Sequence, residues 1–72
     1  MLDGSIYNTS GKRFVVKSCV LADSGLVGFS YVEIDNHNLP VMNGLNGYFT
    51  LSQEEARYDS NVFEKLLGVI GR

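Results

Sequence analysis

Apolar and polar residues alternate along the first two thirds of the chain, a pattern typical of half-buried β-strands. Within segment 13–22, the residues that share a face with Phe14 are largely apolar. The opposite face begins polar at Arg13 and ends apolar at Leu21, as expected where a sheet curls or bends. Gly, Asn, Asp and Ser residues with turn-forming chemistry bound the predicted strands, which are 5–8, 13–22, 26–35 and 48–51.

The pattern becomes helical after Ser52. Ser52 and Glu55 have the spacing of a capping box, and Gly71 is a natural helix stop. The apolar positions that follow helical spacing are Val62, Phe63, Leu66, Leu67, Val69 and Ile70. One continuous helix and two helices both fit, and the cap-forming residues at 59–61 slightly favour a break.

This order of elements predicts an α+β fold, with a small curled antiparallel sheet of three to five short strands followed by a C-terminal helix. The chain is predicted to form one domain over 1–72, strand-rich over 4–51 and helical over 53–70. Two arrangements of the sheet remain open. The layout of residues 4–52 is similar to that of a small SH3-like barrel, and an open meander with the helix across one face fits equally well.

Composition restricts the protein class. Apolar residues make up 44% and charged residues 19% of the 72 residues, which is the composition of a globular domain. The sequence contains no apolar run of the roughly 20 residues that a membrane span needs. Residues 1–4 do not begin a basic-then-apolar leader. We therefore expect a cytoplasmic protein (in the host cell, if a phage encodes it) without membrane association.

The chain offers little catalytic chemistry. Cys19 is the only cysteine and His37 the only histidine, so neither a disulfide nor a cysteine-based zinc site is expected. Cys19 lies in an apolar run, which predicts a buried, slowly reacting thiol. Sequence motifs for nucleophilic catalysis or phosphate binding are missing. We expect a protein that is not an enzyme and that uses no metal or cofactor.

Positive charge is concentrated near the start of the chain. Lys12, Arg13 and Lys17 cluster there, and no Lys or Arg follows from Ser18 to Ala56. The interpretation we favour is a solvated strand edge that resists pairing with other chains. The alternative is that these three residues contact an anion such as a phosphate.

A long loop over 36–47 has the character of a recognition element. It contains two Asn-Gly steps and the only proline, and long loops on rigid scaffolds often carry binding residues. Its amides and imidazole can form hydrogen bonds with a partner or ligand. The candidate binding residues are Asn36, His37, Asn38 and Asn43. The competing interpretation is a connection that tucks Leu39 and Val41 into the core.

A third candidate surface combines tyrosines with the C-terminal helix. The apolar stripe of that helix is wider than one core-facing seam requires, which predicts self-association into a homo-oligomer. Tyrosines are enriched at interfaces, although here they could equally cap a thin core. The candidate interface residues are Tyr48, Tyr58, Phe63, Leu66, Leu67 and Ile70.

Together these features favour a small non-catalytic interaction protein that binds and occludes a larger protein. The small size and acidity of the chain favour the hypothesis of an inhibitor or adaptor encoded by a phage or mobile element. Two alternatives remain open. One is an oligomer that sequesters a small nucleotide with its Asn-rich loop and early cations. The other, with less support, is a small barrel that binds nucleic acid, with Tyr7 or Tyr48 as a stacking platform.

Overall fold

The computed structural model describes residues 4–21 and 24–71, which form a four-stranded antiparallel sheet and a C-terminal helix. The sheet order is β1-β2-β3-β4, so each strand pairs with its neighbour in sequence and the sheet stays open. The α+β class is confirmed, and of the two predicted arrangements the open meander is the one found. The elements are β1 (Ser5–Thr9), β2 (Lys12–Leu21), β3 (Leu26–Ile34), β4 (Asn46–Ser52), a 3-10 turn (Glu55–Arg57) and α1 (Asp59–Ile70).

The core lies between one face of the sheet and α1. Cross-strand partners such as Val16 and Tyr31, or Phe29 and Phe49, place their side chains on the same face. Val62 and Leu66 of α1 cover these side chains. The buried cluster consists of Phe14, Val16, Phe29, Tyr31, Phe49, Leu51, Val62 and Leu66.

The start of the helical region contains the predicted capping box and the predicted break. The Glu55 backbone N–H donates to Ser52 Oγ at 3.1 Å, and Glu55 Oε1 accepts the Ser52 backbone N–H at 3.3 Å. This box caps only the short 3-10 turn, because Tyr58 adopts an extended conformation (φ −117°, ψ 125°). Asn61 Nδ2 donates to the Glu55 carbonyl at 3.0 Å and ties the two helical pieces together.

Gly28 marks a close approach of a side chain rather than a bulge. The register is continuous on both sides of Gly28, which pairs with Cys19 and Thr50. A Cβ atom at position 28 would lie 2.5 Å from Tyr48 Oη. The glycine therefore makes room for the Tyr48 ring on the face opposite α1.

The prediction that Cys19 is buried is wrong: its side chain is exposed. Cys19 lies on the face of β2 that points away from α1, and its partner on β3 is Gly28, which has no side chain to shield it. The neighbouring Val20 on the other face is 71% exposed, so this end of β2 extends beyond the core.

We therefore expect the Cys19 thiol to react with a thiol reagent almost as fast in the native protein as in denaturant, since accessibility does not limit it. The rate of thiol modification with and without denaturant measures this directly. A native rate about a hundredfold or more below the denatured rate would place the thiol in a protected site.

Candidate functional site

The predicted recognition loop is a hydrogen-bonded extension of the sheet. The Val41 backbone N–H donates to the Glu33 carbonyl at 3.0 Å, and the Glu33 N–H donates to the Leu45 carbonyl at 2.8 Å. The Leu45 N–H also donates to Glu33 Oε1 at 3.0 Å. The loop spans 35–45, since the last two residues of the predicted range belong to β4.

Asp35 and Arg13 fix the first half of this loop. Asp35 Oδ1 accepts the backbone N–H groups of His37 at 2.8 Å and Leu39 at 3.0 Å. Arg13 Nη1 donates to the Asp35 carbonyl at 2.7 Å. Arg13, predicted as an anion contact, therefore holds the loop in place. The competing interpretation fails for Leu39, because its side chain is exposed, whereas Val41 is half-buried.

The loop asparagines have backbone roles that complicate their use as binding probes. Asn38 (φ 63°) and Asn43 (φ 61°) both adopt the left-handed conformation that non-glycine residues other than Asn and Asp avoid. Alanine at either position would strain the backbone. Asn36 and His37 are exposed and have no positive φ, so they are the cleaner positions at which to test recognition by this loop.

An apolar surface lies on the side of the sheet away from α1. This open face consists of the even-numbered residues of β1, β3 and β4 and the odd-numbered residues of β2. It contains a depression of about 420 Å³. The residues that line the depression are Ile6, Val15, Lys17, Ser30, Val32, Ile34, Asn38 and Pro40.

Five of the eight lining residues are aliphatic, and the other three are Lys17, Ser30 and Asn38. Ile6 is 45% exposed, and Val15 and Val32 are half-buried. Pro40 of the loop pairs with Ile34 in an isolated antiparallel bridge, so the loop forms one wall. The loop and the open face therefore form one continuous surface.

The three early cations occupy different environments. Lys12 Nζ lies 3.5 Å from Glu33 Oε2 in an ion pair, and Arg13 is bonded to the loop. Lys17 lines the depression beside Val15. The structure therefore brings only Lys17 into the apolar surface, and the three residues do not share one anion site.

The candidate interface residues divide into core and surface. Leu66 is 0% exposed, so its assignment to an interface is wrong: it is a core residue of the chain itself. Phe63 stacks on Tyr7 with ring centroids 5.7 Å apart, and Ile70 packs against the core. Most apolar residues of the helix stripe therefore pack against the sheet of the same chain. The candidates that stay exposed are Tyr48, Tyr58 and Leu67.

The environment of Tyr7 suits it to packing. Burial and, to a smaller extent, the nearby Asp59 carboxylate raise the pKa of the Tyr7 phenol above its ordinary value, although a hydrogen bond with Ser5 opposes the shift. A neutral ring stacked on Phe63 serves the packing of β1 against α1. Tyr48 is the tyrosine of the open face, and it is exposed.

Neither a membrane span nor a metal cluster is found in residues 4–21 and 24–71. No helix in this part is long and apolar enough to cross a bilayer. No group of three or more His, Cys, Asp or Glu side chains in it is placed to hold a metal ion. Comparisons of the chain with family models, curated proteins and solved structures find no match.

The depression on the open face was not predicted from the sequence. Its signal was nevertheless present, because Val15, Val32 and Ile34 occupy the strand faces opposite Phe14 and Tyr31. A sheet that is apolar on both faces needs a packing element on each face. In the part of the chain that the structure describes, α1 packs on the face of Phe14. In the sequence, the change from polar to apolar along this face of segment 13–22 indicates a curled sheet instead.

Proposed function

We propose that this chain is a small non-catalytic interaction protein that binds a larger protein through the open face and occludes the surface it covers. The observation that carries the proposal is the aliphatic depression lined by Ile6, Val15 and Val32 on the side of the sheet away from α1. Burial of these apolar side chains by a partner would stabilise the complex by about 25 cal/mol for each Å² removed from water. Apolar side chains that lie together on a surface are the kind of feature that a partner protein can cover.

The size of the molecule is compatible with such binding. The chain measures 35 × 25 × 19 Å, so one side is comparable to a standard interface of about 800 Å² per partner. The loop adds contact area, since Asn38 and Pro40 line the depression and Leu39 between them is exposed. The rigid hydrogen-bonded loop and sheet would bind with little loss of conformational entropy.

The test compares two aspartate substitutions at exposed aliphatic residues. Ile6→Asp places a charge in the open face, whereas the matched control Val20→Asp places one on the other face of the sheet, at the exposed end of β2. Binding to a partner isolated with the unmodified protein should weaken about thirtyfold or more for Ile6→Asp and remain within about threefold for Val20→Asp. Calorimetric titration measures both affinities.

The melting temperature of each variant should fall by no more than about 4–8 °C, the shift expected for a loss of about 1 kcal/mol in a domain of this size. Equal binding by Ile6→Asp and the parent would contradict the proposal. Equal loss of binding in both variants would also contradict it, since the effect would then not be specific to the open face.

The alternatives receive less support. A nucleotide or nucleic-acid site needs an aromatic platform beside its cations, whereas the depression that contains Lys17 is lined by aliphatic residues. Self-association through α1 needs a wide exposed stripe, and most of that stripe packs on the chain's own sheet.

A further inference from the structure

The proposed function can be made more specific, because the charges of the open face restrict the chemistry of its partner. Resting on that function, we propose that the partner presents an acidic, aliphatic segment, with one aliphatic side chain in the depression and a carboxylate beside Lys17. The segment is part of a different protein and not a second copy of this chain.

The charge distribution supports an acidic partner. Lys17 is the cation that lines the depression, and Arg13 shares its strand face but donates to the loop. The strand positions of this face that the structure describes include no Asp or Glu. The chain nevertheless has a net charge of −2. The carboxylates of the described residues lie outside the strand positions of this face, at Glu33, Asp35, Glu54, Glu55, Asp59 and Glu64, and Asp35 belongs to the loop beside it. A cationic, apolar face on an acidic protein selects a partner whose complementary patch is negative.

The same distribution argues against a second copy. Two copies joined through the open face would bring Lys17 of each copy toward strand positions that, among the described residues, carry no carboxylate. Like charges brought together without counter-charges oppose association and act as a specificity device. The face is therefore suited to a partner that is chemically different from itself.

The placement of Lys17 couples the charge to the apolar contact. Lys17 lines the depression together with Val15, and both approach Gly4 across the strand pair. A Cβ atom at position 4 would lie 2.7 Å from Val15 Cγ2 and 3.3 Å from Lys17 Cγ, so the glycine leaves room for both side chains. One short partner segment can thus reach the aliphatic wall and the ammonium group together.

The chemistry of the lining also separates a protein segment from nucleic acid. Ile6, Val15 and Val32 offer aliphatic contacts that match Leu, Ile or Val side chains, whereas bases stack on aromatic rings. Tyr48, the exposed aromatic residue of this face, stands over Gly28 and outside the lining of the depression.

The test is a titration of the isotope-labelled protein, followed by NMR, with three synthetic peptides of about twelve residues. The peptides share the same Leu and Val positions, and their remaining positions are all Glu, all Gln or all Lys. The Glu peptide should shift the amide signals of Ile6, Val15, Lys17 and Val32. It should bind about threefold to tenfold more tightly than the Gln peptide, and the Lys peptide more weakly than both.

Lys17→Met should remove the preference for the Glu peptide over the Gln peptide while keeping the aliphatic contact. Lys65→Met, which removes an exposed charge from α1, is the matched control and should keep the preference. Added salt should weaken binding of the Glu peptide to the parent more than to Lys17→Met, because screening acts on the charge pair.

Each other outcome has a defined consequence. Equal binding of all three peptides at the open face, or tighter binding of the Lys peptide, would overturn the acidic preference and leave the docking surface standing. Tighter binding of a thymidine oligonucleotide of similar length at the same amides would overturn it in favour of nucleic acid. If no peptide shifts any open-face amide at millimolar concentration, the docking function itself fails.

Discussion

A chain carrying Leu66→Asp should be largely unfolded at room temperature. Leu66 is 0% exposed and packs within the single buried cluster between the sheet and α1. An unpaired carboxylate placed there costs several kcal/mol (about 3–5 when a buried charge has no partner). A domain of this size has a total stability of about 4–10 kcal/mol, at roughly 0.05–0.15 kcal/mol per residue. Loss of the buried Leu side chain costs about 2–5 kcal/mol in addition, so the two costs together are comparable to the whole stability.

Leu67→Asp is the matched control, since it makes the same chemical change one position further along the same helix. Leu67 is 37% exposed, so its carboxylate can stay hydrated and the variant should lose only about 1 kcal/mol. Circular dichroism and urea unfolding of the two variants measure the difference. Similar stabilities for both would show that α1 is not seated on the sheet through Leu66.

Phe14→Ala should have the second largest effect, a loss of about 3–5 kcal/mol. The Phe14 ring is fully buried and meets the edge of the Tyr31 ring, with centroids 6.1 Å apart. Truncation leaves a cavity that the sheet backbone cannot collapse to fill. Val15→Ala, on the same strand but on the open face, should cost about 1 kcal/mol.

Urea unfolding midpoints compare these two variants. The predicted order is a much lower midpoint for Phe14→Ala than for Val15→Ala. A reversed order would mean that the two faces of β2 have been exchanged, which a shift of register by one residue would cause.

The strand faces were predictable because the side-chain period of a strand leaves only two choices. The sequence places Phe14 and Val16 on one face of β2 and Val27, Phe29 and Tyr31 on one face of β3, and the register confirms both sets. The break before α1 was also favoured by the cap-forming residues there, and Tyr58 supplies it. These features depend on local chemistry, which a sequence displays directly.

Which face of the sheet the helix packs against, and which face stays exposed, was not predictable in the same way. Cys19 was expected to be buried because its neighbours are apolar, but burial depends on what packs over a residue. In residues 4–21 and 24–71, α1 is the helix that covers the sheet, and it lies on the face of Phe14. Cys19 and Ile6 belong to the other face and remain exposed. Because α1 does not pack on this face, the depression there stays open to solvent.

The candidate site was predictable only in part. The Asn43-Gly44 step and the proline correctly marked a loop, whereas Asn46-Gly47 begins β4. Asn38 and Pro40 of the loop line the depression. The asparagines suggested hydrogen bonding to a ligand, whereas the positive φ angles of Asn38 and Asn43 give them a backbone role. The apolar partners of the loop, such as Ile6, are distant in sequence, and only the register of the sheet brings them together.

The most direct test of the account is the solvent accessibility of the Ile6 methyl groups, measured by NMR with a soluble paramagnetic agent. In the free protein, signals of Ile6 should broaden about as strongly as those of exposed Val20, while signals of buried Leu66 stay sharp. Addition of the partner should protect the Ile6 methyl signals from broadening and leave those of Val20 broadened. Protection of Ile6 in the free protein, or no protection in the complex, would contradict the assignment of the open face as the docking surface.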